Sequence, residues 1–473
     1  MYLKFCLILG VLVITSCSKE SIIESDTILS PQYSTTRTAG DGIYDVLGYG
    51  YDITNEYCGE NATKLRILDV SRFVKENPNR FDNPFLGIID QRCFAGEDAM
   101  SLLNQLISSS DFSGTVGSLP ENKDKEGFFS GTITAGFKSD SKYFYSSKFS
   151  FAKAEIIKKQ RQYLLNTDIT TLSNYLSPSF IEDLNKYSVD KIVEMYGTHV
   201  LTKVIVGGSY TAYYKSTIIE ENNRTEKTKI VGAGAKYNLA SIGLDANGSW
   251  SSTEINERNK KNSKWECHIK SVGGSTSGTT ITLTPNQGPT FTVNLGAWTE
   301  SVDDQHSRLI DVDWNATYPI YDLISDPVKK KVLKEAVYKY INSKKLDMLK
   351  TTLVYRSFNG YNHYYATEYK PAYGNGDLKN EGAVFSICSE KAPETIPLYQ
   401  YFNKREHFYT VGYFPLGIEN YKLDGILGYV YPNKTPETVP LGRYFNGLDH
   451  YYETYIANYT GYKFESIECY VFP

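Results

Sequence analysis

The chain is poor in the residues on which thiol and metal chemistry depends. It holds 6 histidines and 7 cysteines in 473 residues, with no CxxC or other metal-type spacing, so no cysteine metal site is expected. Setting aside Cys6 and Cys17, which fall in an N-terminal apolar segment, Cys58, Cys93, Cys267, Cys388 and Cys469 remain, an odd set that leaves room for a stray disulfide or two. An excess of one charge is missing too. With 50 basic and 54 acidic residues the formal net charge is −4, which provides no basic footprint for a phosphate backbone and makes nucleic acid an unexpected partner. No paired-carboxylate or Ser/His/Asp constellation stands out. Gly232, Gly234 and Gly243 lack a following Lys-Ser/Thr, so neither a catalytic residue nor a nucleotide cofactor is expected. Beyond the N-terminus no run reaches the ~18 apolar residues of a transmembrane helix.

What is present starts at that N-terminus. Lys4 precedes an apolar run from Phe5 to Ile14, too short to span a bilayer but suited to a secretory signal peptide. Ile14-Thr15-Ser16-Cys17 resembles a bacterial lipobox, which would make residues 1–16 the signal peptide and Cys17 the lipidated first residue of the exported chain. Residues 17–40 are polar and Ser/Thr-rich, as a tether would be. This implies a bacterial outer-membrane lipoprotein, at the cell surface or secreted.

The other end is aromatic and repetitive. The last 121 residues, from Leu353, hold 20 of the 40 tyrosines, a density that favours strands and marks 353–473 as a domain. YRSFNGYNHYYAT (355–367), YQYFNKREHFYTV (399–411) and YFNGLDHYYET (444–454) are copies of one unit, with His363, His407 and His450 spaced 44 and 43 residues apart. Each unit keeps an Asn (Asn359, Asn403, Asn446) after a Phe, and a Tyr (Tyr365, Tyr409, Tyr452) two beyond the His. Three units of this kind suggest a threefold all-β arrangement such as a β-trefoil. On a strand the His and the Tyr share a face. Three readings stay open: the set builds the core and turns of the repeat, it lines a ligand site in some units, or the three histidines grip a metal. The last has no partner ligands nearby, so no metal is expected.

Between these ends the local code is legible. Ser177-Pro178 reads as an N-cap and first helical residue, and Ser188 starts another short helix that runs to Tyr196. Gly197 stops it, and HVLTKVIVGGSYTAYYKST (199–217) reads as a long strand, so His199 lies at a helix-to-strand bend. Tyr196-Gly197-Thr198-His199 is similar to the Y/W-G-T-H signature of the MACPF (membrane attack complex/perforin) family. LGYGYDI (47–53) looks like that family's opening strand, Gly207-Gly208 falls where the family has paired glycines at the bend of its sheet, and residues 309–341 resemble its closing segment. The resemblance covers about residues 41–346, with Val200 standing where the family commonly has an aromatic residue.

The resemblance implies an α+β fold: a bent four-stranded antiparallel sheet with two flanking helical clusters, followed by the all-β repeats. It also implies that His199 is structural, and that on self-assembly into a ring each cluster unfurls into a hairpin of a membrane barrel. Such strands need about 9–11 residues with alternating polarity. Val231, Ala233, Ala235, Tyr237 and Leu239 alternate with polar and glycine positions; Ala240, Ile242, Leu244 and Ala246 do so in shifted parity. Phe129, Ile133 and Phe137 lead a third such stretch, whereas 99–107 looks helical and 111–119 alternates only weakly. An ordinary half-buried strand has the same pattern. A lipoprotein of this build resembles the secreted antimicrobial MACPF proteins of Bacteroidales. The expected function is a pore-forming toxin whose C-terminal repeats bind a surface protein or glycan on competing bacteria; the alternative is a non-lytic adhesin that keeps the scaffold. An enzyme carrying the repeats as a carbohydrate-binding module has only the aromatic tail in its favour.

Overall fold

The computed structural model describes residues 43–109, 127–137, 143–145, 149–218, 221–245, 252–262, 264–374, 377–436 and 438–473. Cys17, the signal peptide, the tether and the 111–119 stretch lie outside these residues.

Four long strands carry the first module. β1 (Phe85–Gly96), β2 (Ser150–Leu165), β3 (Lys203–Thr217) and β4 (Lys264–Val272) pair in that order, each antiparallel to the next. Three short strands widen the expected four-stranded sheet to seven: Phe81–Asp82 beside β2, Thr280–Leu283 beside β4 and Arg308–Val312 beside β3. The first half of β3 pairs with Arg308–Val312 and the second with β4, and the handover falls at Gly207-Gly208, opposite a register slip in β2. A Cβ on Gly207 would sit 1.9 Å from the Lys158 carbonyl oxygen, so only glycine lets the backbones come this close.

Alternation along these strands sorts side chains into two layers. Phe151 and Tyr213 join one core, while Ala152, Ala154, Ala212 and Tyr214 join another on the opposite face. Helix α1 (Ala99–Ser109) contributes to the first core. Helix α2 (Val189–Tyr196) runs into a second sheet of four short strands in the order Thr317–Pro319, His199–Leu201, Tyr49–Tyr51, Thr63–Arg66. Ser188 caps α2 by accepting from Lys191 N, and Ser177 caps Pro178–Lys186 by accepting from Phe180 N. Helix α3 (Arg224–Ser241) covers the small-residue face of the large sheet, with α4 (Ser252–Asn259) beside it.

The C-terminal repeats are three copies of one three-stranded unit. They are β5 (Thr351–Phe358), β6 (His363–Ala366) and β7 (Leu378–Cys388); β8 (Ile396–Phe402), β9 (His407–Thr410) and β10 (Lys422–Val430); β11 (Val439–Phe445), β12 (His450–Glu453) and β13 (Lys463–Val471). Each unit turns back at the same place, pairing Phe358 with His363, Phe402 with His407 and Phe445 with His450. The first two units share one sheet and the third forms its own, tied in by bridges Ser386–Phe472 and Tyr431–Tyr470. Cys58, Cys93, Cys267, Cys388 and Cys469 form no disulfide.

Candidate membrane-inserting segments and recognition module

The Tyr196–His199 stretch is a structural stitch. Gly197 ends α2 with φ at 76°, and a Cβ there would lie 2.5 Å from the Tyr51 carbonyl oxygen. Thr198 Oγ1 accepts from Ile53 N and donates to Tyr51 O, both at 3.1 Å, and Tyr196 OH donates to Asp183. His199 is fully buried, with Nδ1 2.8 Å from Thr198 Oγ1, Nε2 without a partner, and its ring edge-on to Trp314. Burial holds its imidazole down at about 3, so it stays neutral. Thus Tyr196, Gly197, Thr198 and His199 sew α2 to the opening strand.

The expected hairpin residues are all non-strand in this state. Residues 127–137 form helical turns, with Thr132–Gly136 in a wide π-type turn. Phe129 packs against Tyr57 and Trp314, Phe137 edge-on against Phe151 and Tyr213, and Ile133 is fully buried. Polar contacts hold the segment as well: Thr132 Oγ1 accepts from Tyr57 N, and Lys270 Nζ reaches both Ala135 O and Glu56. Beneath it, Lys153 and Glu155 make a buried 2.6 Å ion pair, and Arg92 pairs with Asp311. The Lys153 and Glu155 charges persist at this depth because each has its counterpart. Gln105 of α1 accepts from Ala95 N of β1, capping one donor on a strand whose outer edge has no strand partner among the described residues.

The opposite face is apolar. Ile230, Val231, Gly234, Ala235, Asn238 and Leu239 recur at i, i+4 spacing and point α3 at the sheet; Ile242 and Leu244, just beyond it, are fully buried. A Cβ on Gly234 would lie 2.4 Å from the Tyr214 ring, and one on Gly232 would lie 3.7 Å from Cys93 Sγ. Arg258 of α4 pairs with Glu226 of α3.

In the repeats, the three tyrosines close a ring. Tyr365 OH donates to Tyr452 O and accepts from Tyr452 N; Tyr452 OH does the same with Tyr409, and Tyr409 OH with Tyr365. Their rings meet edge-on at 5.3, 5.5 and 5.6 Å and are buried. Asn359, Asn403 and Asn446 each accept two backbone N–H bonds inside the turn that follows. Each histidine is stacked on its Phe and bonded to the residue that comes just before the preceding unit's histidine, the first unit reaching round to the third: His363 to Asp449, His407 to Asn362, His450 to Glu406. The nine residues Asn359, His363, Tyr365, Asn403, His407, Tyr409, Asn446, His450 and Tyr452 take part in the core and turns of the repeats: the tyrosines bond one another's backbone, the asparagines accept from turn N–H groups, and the histidines bond Asp449, Asn362 and Glu406. Among the described residues no His/Cys/Asp/Glu cluster fit to hold a metal occurs.

A family model described as the MAC/Perforin domain matches residues 40–350. The chain belongs to the MACPF family. Behind the MACPF domain, residues 354–472 match a domain of unknown function, DUF5648. Among solved structures, the chain is similar in fold to a MAC/Perforin-domain protein from Bacteroides thetaiotaomicron, at 16% identity over 76% of this chain and 69% of that one, TM-score 0.50. It is also similar to GNIP1Aa from Chromobacterium piscinae, at 13% identity over 92% of this chain and 82% of that one, TM-score 0.47. No curated protein matches it. Among the described residues, the Asn222 side chain of the MACPF domain bonds both backbone groups of Tyr369 in the repeats, and residues 143–145 pair in parallel with 347–349, just ahead of them. Sequence reasoning missed Asn222 and the bonded partners Asn362, Glu406 and Asp449. The last three precede each histidine and share acceptor chemistry without sharing identity, so the repeat comparison passed over them.

Proposed function

We propose that the chain is an exported pore-forming toxin, anchored through Cys17 at the outer membrane or released from it. In this reading it binds the surface of competing bacteria through the C-terminal module, assembles with copies of itself, and converts residues around 129–137 and 231–244 into barrel hairpins. The working division is 1–16 signal peptide, 17–40 tether, 41–346 MACPF domain and 353–473 recognition module. The last is β-trefoil-like, on the strength of its pseudo-threefold tyrosine ring. Catalysis has no part in the reading.

The observation that carries it is the double patterning of α3. Residues at i, i+4 spacing bury one helical stripe, while Val231, Ala235, Tyr237 and Leu239 also fall on one face of an extended strand; Tyr237, exposed on the helix, would join that apolar face. A segment with both patterns can exchange one buried state for another. The open edge of β1, with Phe85, Ile88 and Ile89 exposed, offers a place for the next subunit to add.

The lock is available in the sequence. Gly232→Cys places a thiol against Cys93 and, once oxidised, ties α3 to β1. Burial pushes the Cys93 thiol up to about 11, so an added oxidant is needed. Dye entry into susceptible bacteria should be absent with the oxidised variant and return on reduction. Equal permeabilisation by the oxidised form would sink hairpin release at α3. If no strain is permeabilised by the unmodified chain while cells are still bound, the non-lytic adhesin replaces the toxin.

A further inference from the structure

The three turns of the repeats are interlocked through His363–Asp449, His407–Asn362 and His450–Glu406, so they gather at one end of the module. That end is remote from the chain junction, because Thr351 at the start of β5 pairs with Cys388 near Lys350, whereas Phe358 at its other end enters the first turn. Pairing also brings a lysine to this end in every unit: Lys379 opposite Phe358, Lys422 opposite Phe402, Lys463 opposite Phe445, all three exposed. Lys404 and Arg405 add two exposed cations at the second turn. Exposed acids stand near this end too: Glu368, Asp377 and Glu419 in the adjoining loops, and Glu381, Asp424 and Glu465 two residues beyond the three lysines, where Glu381 pairs with Arg356, Asp424 accepts from Gln400 and Glu465 pairs with Arg443. Glu406 and Asp449 are buried against His450, Tyr421, His363 and Tyr462. At the other two turns the tips are apolar or aromatic: Tyr361 is 78% exposed and Leu448 71%.

Backbone conformation adds a second observation. The residue after the turn asparagine has positive φ in all three units: Gly360 at 95°, Gly447 at 96°, and Lys404 at 75°. Two units use glycine, which takes this conformation freely, and the second unit puts a lysine there against the conformational preference of its Cβ. The strained residue is the one that projects a charge from the tip.

We propose that this end of the module is a docking face for a membrane surface bearing anionic phosphate headgroups. Lys379, Lys422, Lys463, Lys404 and Arg405 ring the headgroups, and Tyr361 and Leu448 enter the interfacial layer. Cations beside an interfacial aromatic and an aliphatic side chain fit such a surface better than a neutral glycan or a protein, since each group has its layer in the bilayer interface. The proposal rests on reading the C-terminal module as the recognition module.

The test uses the chain from Ser18 onward, without its own lipid, in flotation with phosphatidylcholine vesicles with and without phosphatidylglycerol. Binding should require phosphatidylglycerol and weaken with salt. The triple variant Lys379→Gln, Lys422→Gln, Lys463→Gln should lower it roughly a hundredfold, at about fivefold per lysine. Lys404→Gly should raise the melting temperature by relieving the backbone while weakening binding about fivefold, a pairing that a merely structural lysine would not give. Tyr361→Ser with Leu448→Ser should remove the part that survives high salt. Equal binding to both vesicles, or lysine variants that bind like the parent, would overturn the assignment. If that happens while cells are still permeabilised, the pore reading stands and the receptor is a protein or glycan. If vesicles are bound through the lysines and neither vesicles nor cells leak, the docking face stands and the pore reading falls.

Discussion

Helix α3 and the ring of Tyr365, Tyr409 and Tyr452 are both buried, yet they are held by different physics. α3 lies on the sheet by shape, with Gly232 and Gly234 letting it settle against Ala95, Cys93 and Tyr214. Dispersion and apolar burial carry no memory of backbone conformation, so the same residues can be buried again as a strand. The tyrosine ring is directional. Every hydroxyl donates to one repeat's carbonyl and accepts from its N–H, so loosening one repeat leaves two buried backbone groups without partners. On the proposed reading, the contrast separates the region that would convert from the one that would hold through the conversion.

The comparison can be broken at the ring first. Tyr452→Phe leaves the Tyr409 N–H and carbonyl orphaned, and should cost roughly 4 kcal/mol of stability by denaturant unfolding, as two unsatisfied buried groups do. A loss no larger than that of an exposed Tyr361→Phe control would show that the ring is not what closes the module.

Acid sharpens the contrast next. Burial holds His407 at about 4, below its ordinary 6.5, against the opposing pull of Asp424, Glu406 and Asp449. Its neutral form is favoured in the folded module, so the stabilisation is complete above about 6.5 and is lost as pH falls towards 4, by roughly 3 kcal/mol in all. His407→Gln should flatten the fall in unfolding free energy across that window; an unchanged slope would assign the acid sensitivity elsewhere.

The smallest effect is expected on the helix. Gly234→Ala drives a methyl into the Tyr214 ring, which is stacked on Trp265 at 5.6 Å, so the helix must lift. Overpacking of this kind costs roughly 2 kcal/mol, and in cells the variant should permeabilise at lower protein concentration than the parent. Weaker permeabilisation alongside lower stability would mean that α3 has to stay docked for activity.

Legibility followed the range of the interactions. Ser177, Ser188 and Gly197 could be read as caps because capping joins residues two to four apart, and they are caps here. The repeats could be read because copying preserves spacing. The tyrosine ring could not, since its hydrogen bonds join residues 43 to 87 positions apart and alternation says only which side chains share a face. The 231–239 stretch alternates like a strand and folds as a helix because its small residues meet a sheet face lined by Ala95, Ala152, Ala154 and Ala212, a match that exists only once the sheet is assembled. The three short strands that widen the large sheet to seven were likewise hidden, being two to five residues long.

The cyclic ring also fixes copy number. An open array of repeats can gain or lose one member by duplication and keep its interfaces, because each unit contacts only its neighbours. Here the first repeat's Tyr365 donates to the third repeat's Tyr452, closing the circuit, and the histidine bonds run round the same way. A chain with two or four such units could not close with this geometry. Adding or removing one unit would therefore leave the bonds that close the circuit without partners, where an open array would only shorten or lengthen.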